Sequence, residues 1–298
     1  MPTRIRQPVV CVLGHVDAGK TSLLDKIRGS AVALSEVGAM TQHIGASFFP
    51  LKTLKEISGP FIKRVSGKIR IPGLLFIDTP GHSVFANLRK RGGSVADIAI
   101  LVLDIIRGFE AQTYESIDIL KSRRTPFVVA ANKIDAIPGW VRQLNAPISD
   151  SLRKQNLSVQ RQLDDQLYAI IGVFSRLGFS AERFDKVTDF TKSIAIVPVS
   201  AKTGEGIPEL LSIIIGLTQQ YLKKKLKVSV GGAKGTIIEV KDEPGFGVTI
   251  NAIIYDGSLH EGDTIVMGGK DKPIVTKARA ILLPKPLGEI REPGDKFT

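Results

Sequence analysis

Cysteine is almost missing from this sequence of 298 residues, and long apolar runs are missing altogether. The single cysteine, Cys11, excludes an intrachain disulfide and a zinc site built on paired cysteines. The longest apolar run, residues 98–103, ends at Asp104 and is far shorter than the roughly 18 residues of a membrane span. The first run, residues 9–13, is too short for a secretory signal. We therefore expect a cytoplasmic protein with no membrane partner.

Length and charge indicate two units with different surfaces. A chain of this length predicts two domains, since a domain usually holds about 100–200 residues, and a hydrophobic content of 43% excludes wholesale disorder. Residues 1–227 carry 32 Lys and Arg against 19 Asp and Glu, a net charge of +13, whereas residues 228–298 carry 9 against 10, a net charge of −1. The basic excess suits a polyanionic partner, although a solvated basic face is the plainer alternative.

The N-terminal unit alternates short apolar runs with helical patterns. Continuous runs at residues 9–13, 74–77, 98–103, 127–131 and 194–199 are typical of parallel strands buried on both faces. Helical patterns occupy residues 20–28, 83–91, 111–121, 157–177 and 208–227. This alternation predicts an α/β fold with a doubly wound domain over residues 1–227, including a helical insertion at about 140–192. The loops after the strands should then meet at one edge of the sheet.

The C-terminal unit, residues 228–298, has a different pattern. Short runs rich in Gly, Val, Ile and Thr at residues 235–240, 247–254 and 264–267 are separated by turn sequences. This predicts a small antiparallel β-barrel. We expect the barrel to be incomplete, because no closing strand is evident near residue 298.

A phosphate-binding loop is the strongest motif. Residues 14–21 fit G-x-x-x-x-G-K-[ST] and stand between a predicted strand and a predicted helix, the context that this motif requires. Backbone N–H groups and the helix dipole would bind phosphate, the Lys20 ammonium would neutralise its charge, and the Thr21 hydroxyl would bind Mg²⁺. A chance glycine loop before a helix is the alternative. The candidate ligand-binding residues here are Gly14, His15, Val16, Asp17, Ala18, Gly19, Lys20, Thr21 and Ser22.

A second motif, N-K-x-D at residues 132–135, indicates which base is bound. The Asp135 carboxylate can accept hydrogen bonds from the ring N–H and the exocyclic amine of guanine, a pair that adenine does not offer. Asn132 would brace the loop, and the aliphatic stem of Lys133 would lie along the base. A backbone N–H of the later segment Ser200, Ala201 and Lys202 could reach the base oxygen. Alone, this pattern also fits a turn that caps a helix, but after a phosphate loop it favours guanine.

A third set of residues predicts the metal and the attacking water. Asp78 ends an apolar run and is placed to hold Mg²⁺, and Gly81 can offer its N–H to the γ-phosphate. His82 could then orient the water that attacks this phosphate. A lone histidine is more often a surface residue, but the D-x-x-G-H context favours the catalytic role. Thr41 could complete the Mg²⁺ shell, although an ordinary Gly/Thr loop is the alternative.

Together these motifs resemble those of the translational GTPases. Residues 41–46, T-Q-H-I-G-A, are similar to the first switch of initiation factor 2 and of its archaeal and eukaryotic relative, initiation factor 5B. Residues 85–93 resemble the second switch helix of the 5B branch, and residues 181–190 resemble a segment of its archaeal members. The long segment between the guanine motif and Ser200 fits the same branch.

This resemblance implies a GTPase with GTP or GDP and Mg²⁺ as cofactors. It implies that the factor joins the two ribosomal subunits, contacts ribosomal RNA, and hydrolyses GTP slowly until the ribosome stimulates it, which triggers release. His82 would orient the water, with Val16 and Met40 at the positions of a hydrophobic gate, and Asp17 matches a position that holds K⁺ or Na⁺ in some relatives. We expect a monomer that would contact initiator tRNA only through domains absent from this sequence.

Three alternatives remain at this point. Another translational GTPase, such as elongation factor 1A or the gamma subunit of initiation factor 2, fits residues 41–46 poorly, and the latter often carries paired cysteines. A nucleotide-dependent scaffold with negligible turnover is disfavoured by His82. A P-loop ATPase or kinase is disfavoured by Asp135.

Overall fold

A computed structural model describes residues 5–34, 41–43, 46–65, 69–77, 96–221, 225–243 and 246–282. Its strands are β1 (Val9–Gly14), β2 (Thr41–His43), β3 (Ala46–Pro50), β4 (Gly73–Ile77), β5 (Ile98–Asp104), β6 (Phe127–Asn132), β7 (Ser180–Arg183), β8 (Ser193–Pro198), β9 (Lys234–Glu243), β10 (Gly247–Asp256), β11 (Thr264–Met267) and β12 (Ile274–Lys277). Its α-helices are α1 (Lys20–Leu34), α2 (Leu51–Ser58), α3 (Ala111–Arg123), α4 (Ile148–Arg153), α5 (Leu157–Arg176) and α6 (Ile207–Tyr221). Short 3-10 helices cover Gly59–Arg64 and Ile134–Ala136.

The first eight strands form one mixed sheet in the order β2-β3-β4-β1-β5-β6-β8-β7. Strands β4, β1, β5, β6 and β8 are parallel, as the continuous apolar runs predict, and β7 adds a further parallel strand. Strand β3 is antiparallel to both of its neighbours. The sequence reading missed β3 because its burial alternates, with Ser47 and Phe49 buried and the residues beside them half-buried. An alternating strand leaves no continuous apolar run.

Helices cover both faces of this sheet, which confirms the doubly wound α/β prediction. From β1, Val10 and Val12 enter a core that includes residues of α1, α2 and α6. Cys11 and Leu13 enter a second core that includes residues of α3 and α5. This follows from the two-residue period of a strand, which sends successive side chains to opposite faces. Burial also raises the pKa of Cys11 to about 12, so its thiol stays protonated.

Two predicted helical segments differ from the observed ones. The segment at 140–192 contains α4 and α5, but it also contains β7, which pairs in parallel with β8 and extends the main sheet. The helix predicted for residues 208–227 is α6, and residues 225–227 lie outside it, since Leu226 is buried in the core and Lys227 forms a β-bridge with Ile5. The helix predicted at 83–91 lies outside the described residues.

The C-terminal unit consists, in its described part, of two antiparallel hairpins. Strand β9 pairs with β10, and β11 pairs with β12, as two separate two-stranded sheets. The antiparallel strands agree with the sequence pattern, while closure into a barrel remains a prediction, as does the domain boundary at residue 227. Apolar side chains are largely exposed here, with Val240 59%, Val248 75% and Val266 69% exposed.

The helices of the described residues are all too short or too polar to cross a membrane.

A buried carboxyl group, Glu209, lies in the first turn of α6. The backbone N–H of Ser149, in the first turn of α4, donates to its Oε1 at 3.5 Å, whereas the buried Oε2 has no hydrogen-bond partner within the described ranges. Burial raises the pKa of Glu209 to about 7, although backbone hydrogen bonds from Ser149 and Ile148 act in the opposite direction. The native chain therefore binds a proton here that the unfolded chain releases near pH 4.5.

We expect the stability of this protein to fall as the pH rises from about 5 to about 8. In this interval the native state holds more protons than the unfolded state at Glu209, so the free energy of unfolding decreases, by about 3 kcal/mol at most. Urea unfolding at several pH values should show this decrease. Glu209→Gln should flatten the dependence because the amide does not titrate, and equal slopes for the two proteins would contradict the assignment.

Candidate nucleotide site

The loop between β1 and α1 has a backbone that requires glycine at both glycine positions of the phosphate motif. Gly14 and Gly19 have φ angles of 142° and 90°. A Cβ atom on Gly14 would lie 2.2 Å from the carbonyl oxygen of Val102, and one on Gly19 would lie 2.3 Å from Nδ2 of Asn132. Because any side chain would collide at these positions, the glycine spacing of the motif follows from close packing of this loop against β5 and β6.

Lys20 begins α1 and turns its side chain back onto this loop. Its Nζ donates hydrogen bonds to the carbonyl oxygens of Gly14 at 3.1 Å and His15 at 2.6 Å. The ammonium group therefore lies beside the backbone N–H groups that would cradle phosphate. The hydroxyl-bearing residues Thr21 and Ser22 are exposed on the first turn of α1, where a ligand can reach them.

The tip of the loop is held by the N-cap residue and the first turn of α3, contacts that sequence reasoning missed. The backbone N–H of Val16 donates to Oε1 of Gln112 at 2.8 Å, and Nε2 of His15 lies 3.4 Å from Oε1 of Glu110. Val16 and Asp17 are themselves exposed, and Asp17 adopts a positive φ of 63°. The polar residues that open the helix after β5 were the available signal, since loops after parallel strands meet at one edge.

Asn132 joins three loops of the site. Its Nδ2 donates to the carbonyl oxygen of Ala18 at 2.8 Å, and its Oδ1 accepts from the backbone N–H of Ala201 at 2.9 Å. The side chain is buried. The phosphate loop, the N-K-x-D loop and the segment 200–202 are therefore brought together at the carboxyl ends of β1, β6 and β8.

Asp135 is half-buried at the start of a 3-10 helix beside the same junction. The Ser200 hydroxyl donates to its Oδ1 at 2.6 Å, so one acceptor position of the carboxylate is occupied by protein. Lys202 is exposed. The remaining lone pairs of Asp135 are the acceptors that a ligand could use.

Lys133 is oriented by an ion pair that the sequence did not reveal. It adopts the left-handed conformation, with a φ of 69°, and its Nζ lies 2.8 Å from Oδ2 of the buried Asp104. Burial acts to raise the pKa of Asp104, but hydrogen bonds from Lys133 and from the backbone N–H groups of Ile106 and Arg107 outweigh it and hold the pKa below its usual value. The sequence held one indication of this contact, because Asp104 and Asn132 each follow directly on a predicted strand. In the structure these two residues are paired across β5 and β6.

Replacing Asp104 with asparagine should weaken nucleotide binding by about fivefold. The amide can still accept from Ile106 and Arg107, but it no longer fixes the Lys133 ammonium, and partly exposed ion pairs contribute up to ~1 kcal/mol. Isothermal titration with GDP would measure the change. Asp164→Asn removes an ion pair between α5 and Arg183 of β7 and should leave the affinity unaltered. Equal effects of both substitutions would contradict the role of Asp104.

The residues predicted to bind the metal and to orient the water fall largely outside the part of the chain that the structure describes. Met40, Asp78, Gly81 and His82 lie outside the described residues, and Thr41 begins β2, paired with Phe48, without a described side chain. Within the described ranges, no cluster of three or more His, Cys, Asp or Glu side chains is placed to hold a metal ion. The exposed hydroxyl of Thr21 is a described group that suits Mg²⁺, an ion that usually keeps several waters and binds phosphate oxygens.

Comparison with known families agrees with this geometry. Residues 5–220 match the family described as "Elongation factor Tu GTP binding domain". A protein of Ignicoccus hospitalis named "Probable translation initiation factor IF-2" is 60% identical over 289 residues, which cover 97% of this chain and 48% of that protein. A protein of Thermococcus onnurineus with the same name is 58% identical, with coverage of 99% and 49%. The chain therefore spans about half the length of the curated relatives it matches.

Solved structures extend the comparison. The crystal structure of GDP-bound aIF5B from Aeropyrum pernix matches with a TM-score of 0.93 and 55% identity, covering 99% of this chain and 49% of the other. The elongation factor SelB of Methanococcus maripaludis matches with a TM-score of 0.56 and 19% identity, which shows a shared fold alone.

Proposed function

Because the chain belongs to the family of the elongation factor Tu GTP-binding domain, we propose that it is the GTP-binding and GTP-hydrolysing part of a translation initiation factor of the 2/5B type. The observation that carries the proposal is the Asn132 junction, which joins a phosphate loop, a base-reading loop and a third loop into one site. Relatives at 58% and 60% identity carry an initiation factor name, which supports the choice within the family.

The phosphate groups of GTP would lie in the loop after β1. The dipole of α1 and the Lys20 ammonium both favour a polyanion. Lys20 would exchange its contacts with the Gly14 and His15 carbonyl oxygens for the outer phosphates. Mg²⁺, when bound with the nucleotide, would supply positive charge beside the phosphates, with Thr21 among its ligands and with Asp78 and Thr41 proposed to complete the site.

Guanine would be read by Asp135. With Oδ1 already accepting from Ser200, the carboxylate is oriented before the ligand arrives, so its free lone pairs can accept from the ring N–H and the exocyclic amine. The Lys133 stem, fixed by Asp104, would cover one face of the base. A backbone N–H in the segment 200–202 would donate to the base oxygen.

Hydrolysis would use a water oriented by His82. The water oxygen attacks the γ-phosphorus, and the bond to the oxygen that bridges to the β-phosphate breaks, which leaves GDP and inorganic phosphate. Such a reaction depends mainly on positioning and charge. We propose that the ribosome completes this positioning, that turnover is slow without it, and that hydrolysis after subunit joining releases the factor. The Asp17 site for K⁺ or Na⁺ also remains a proposal.

The ribosome as partner is supported by charge. The net charge of +13 lies within residues 1–227, and Lys52, Lys55, Lys63 and Arg70 are exposed in the described part of this unit. Contacts of such side chains with RNA phosphates provide attraction without sequence specificity and weaken as salt is added.

Nucleotide competition tests the proposed function. Fluorescent GDP bound to the chain should be displaced by GDP and GTP at concentrations about 10³-fold or more below those needed for ATP, since adenine offers no pair of donors to Asp135. Equal displacement by ATP would refute the guanine assignment. Measuring GTP turnover with and without large ribosomal subunits distinguishes a GTPase from a scaffold, because a scaffold would show no stimulation.

A further inference from the structure

A buried carboxylate lies immediately behind the proposed base-reading loop. Glu205 precedes α6 and has 0% of its surface exposed. Its Oε1 accepts from the indole N–H of Trp140 at 3.1 Å, and its Oε2 accepts from the Thr203 hydroxyl at 2.5 Å. Trp140 is the single tryptophan of the sequence and is 8% exposed. Removing a carboxylate from water is costly unless donors satisfy it, and here both oxygens have one.

Hydrogen bonds connect this carboxylate to Asp135 through Thr203 and Ser200. The Thr203 hydroxyl is committed to Glu205, and the backbone N–H of Thr203 donates to Oγ of Ser200 at 3.1 Å. With this lone pair occupied, the Ser200 hydroxyl directs its single hydrogen to Oδ1 of Asp135 at 2.6 Å. The bond to Glu205 fixes residue 203, and the N–H of this residue in turn fixes the Ser200 hydroxyl, which would otherwise choose among several partners.

Residues 140–146 also form hydrogen bonds with the loop that contains Thr203 and Glu205. The backbone N–H of Asn145 donates to the Thr203 carbonyl oxygen at 2.9 Å, and the N–H of Gly206 donates to the Ala146 carbonyl oxygen at 3.1 Å. Gly206 has a φ of 75°, and a Cβ there would lie 2.1 Å from the Pro198 carbonyl oxygen. Residues 140–146 are therefore fastened to the loop by two backbone bonds as well as by Trp140.

We propose that Glu205 and Thr203 are positioning residues for base recognition, which orient the Asp135 carboxylate through Ser200 and so determine the preference for a purine with a 2-amino group. This inference rests on the proposed function, in which Asp135 binds guanine. The two residues touch neither base nor phosphate, so their effect should appear in discrimination between bases and not in phosphate binding.

Comparing GDP with inosine diphosphate (IDP) isolates this effect. IDP lacks only the exocyclic amine, so the ratio of the two affinities measures the bond between that amine and Asp135. We expect the ratio of GDP affinity to IDP affinity to fall about tenfold in Glu205→Gln and in Thr203→Val. A change of this size corresponds to the loss of one hydrogen bond to a charged group. Thr203→Ser keeps the hydroxyl and should restore the ratio. Glu209→Gln alters a buried carboxyl group of α6 that forms no hydrogen bond with this network within the described ranges, and it should leave the ratio as in the wild type.

Each outcome decides the question. If Glu205→Gln and Thr203→Val leave the ratio of GDP affinity to IDP affinity unchanged, the proposal is wrong. If both affinities also fall by the same factor, these residues only stabilise the loop. If the wild type does not prefer GDP over ADP, the proposed function itself is wrong, because Asp135 then does not bind guanine. Thr203→Val leaves the Trp140–Glu205 contact in place, so native Trp140 emission verifies folding of that variant.

Discussion

Replacing Asp135 with asparagine is expected to lower the affinity for GDP by about 10³-fold and to create affinity for xanthosine diphosphate (XDP). An amide offers one acceptor and one donor where the carboxylate offers acceptors alone. Guanine then meets a donor opposite its exocyclic amine, whereas xanthine carries a carbonyl oxygen at that position and pairs with the amide. Sites built on base hydrogen bonds discriminate at this level because mismatched polar groups are left buried and unpaired.

Titration of both nucleotides into wild type and Asp135→Asn measures this exchange. Asp165→Asn, an exposed carboxylate on α5, is the matched control and should behave as wild type. The Ser200 hydroxyl can donate to the asparagine Oδ1 as it does to Asp135, so the loop should keep its structure. GDP affinity that stays within a few-fold of wild type would show that Asp135 does not read the base.

Replacing His82 with alanine should lower ribosome-stimulated GTP hydrolysis by well over ~10²-fold while GDP affinity stays constant. The predicted role is to position the attacking water, which concerns the transition state and not the bound nucleotide. Phosphate release from GTP in the presence of large ribosomal subunits measures turnover, and GDP titration measures binding.

The control for His82 is a second histidine with no expected part in the reaction. His260 lies in a turn of the C-terminal unit with an exposed side chain, so His260→Ala should leave turnover unaltered. Stimulated turnover that survives in His82→Ala would make the assigned role wrong. A parallel fall in GDP affinity would indicate damage to the site as a whole.

The nucleotide loops could be read from the sequence because their chemistry restricts residue types at short spacing. Gly14 and Gly19 occupy backbone positions where a Cβ would collide with β5 or with Asn132, and Lys20 is the one charged residue of the motif that turns back onto the loop. The parallel strands β1, β4, β5, β6 and β8 could also be predicted, since burial on both faces leaves continuous apolar runs, whereas the parallel strand β7 has no such run. Strand β3, with alternating burial, gave no such signal.

The difference in net charge between residues 1–227 and residues 228–298 also follows from the sequence alone, because it requires only a count of the charged residues. Tertiary structure decided the contacts between residues distant in the chain. Asp104 orients Lys133, Gln112 holds Val16, and Glu205 joins Trp140 to the loop that orients Asp135. Their partners are 29, 96 and 65 positions away. Motifs identify the groups that would contact a ligand. The orientation of those groups depends on which strands and helices pack together, and a local sequence pattern does not encode this packing.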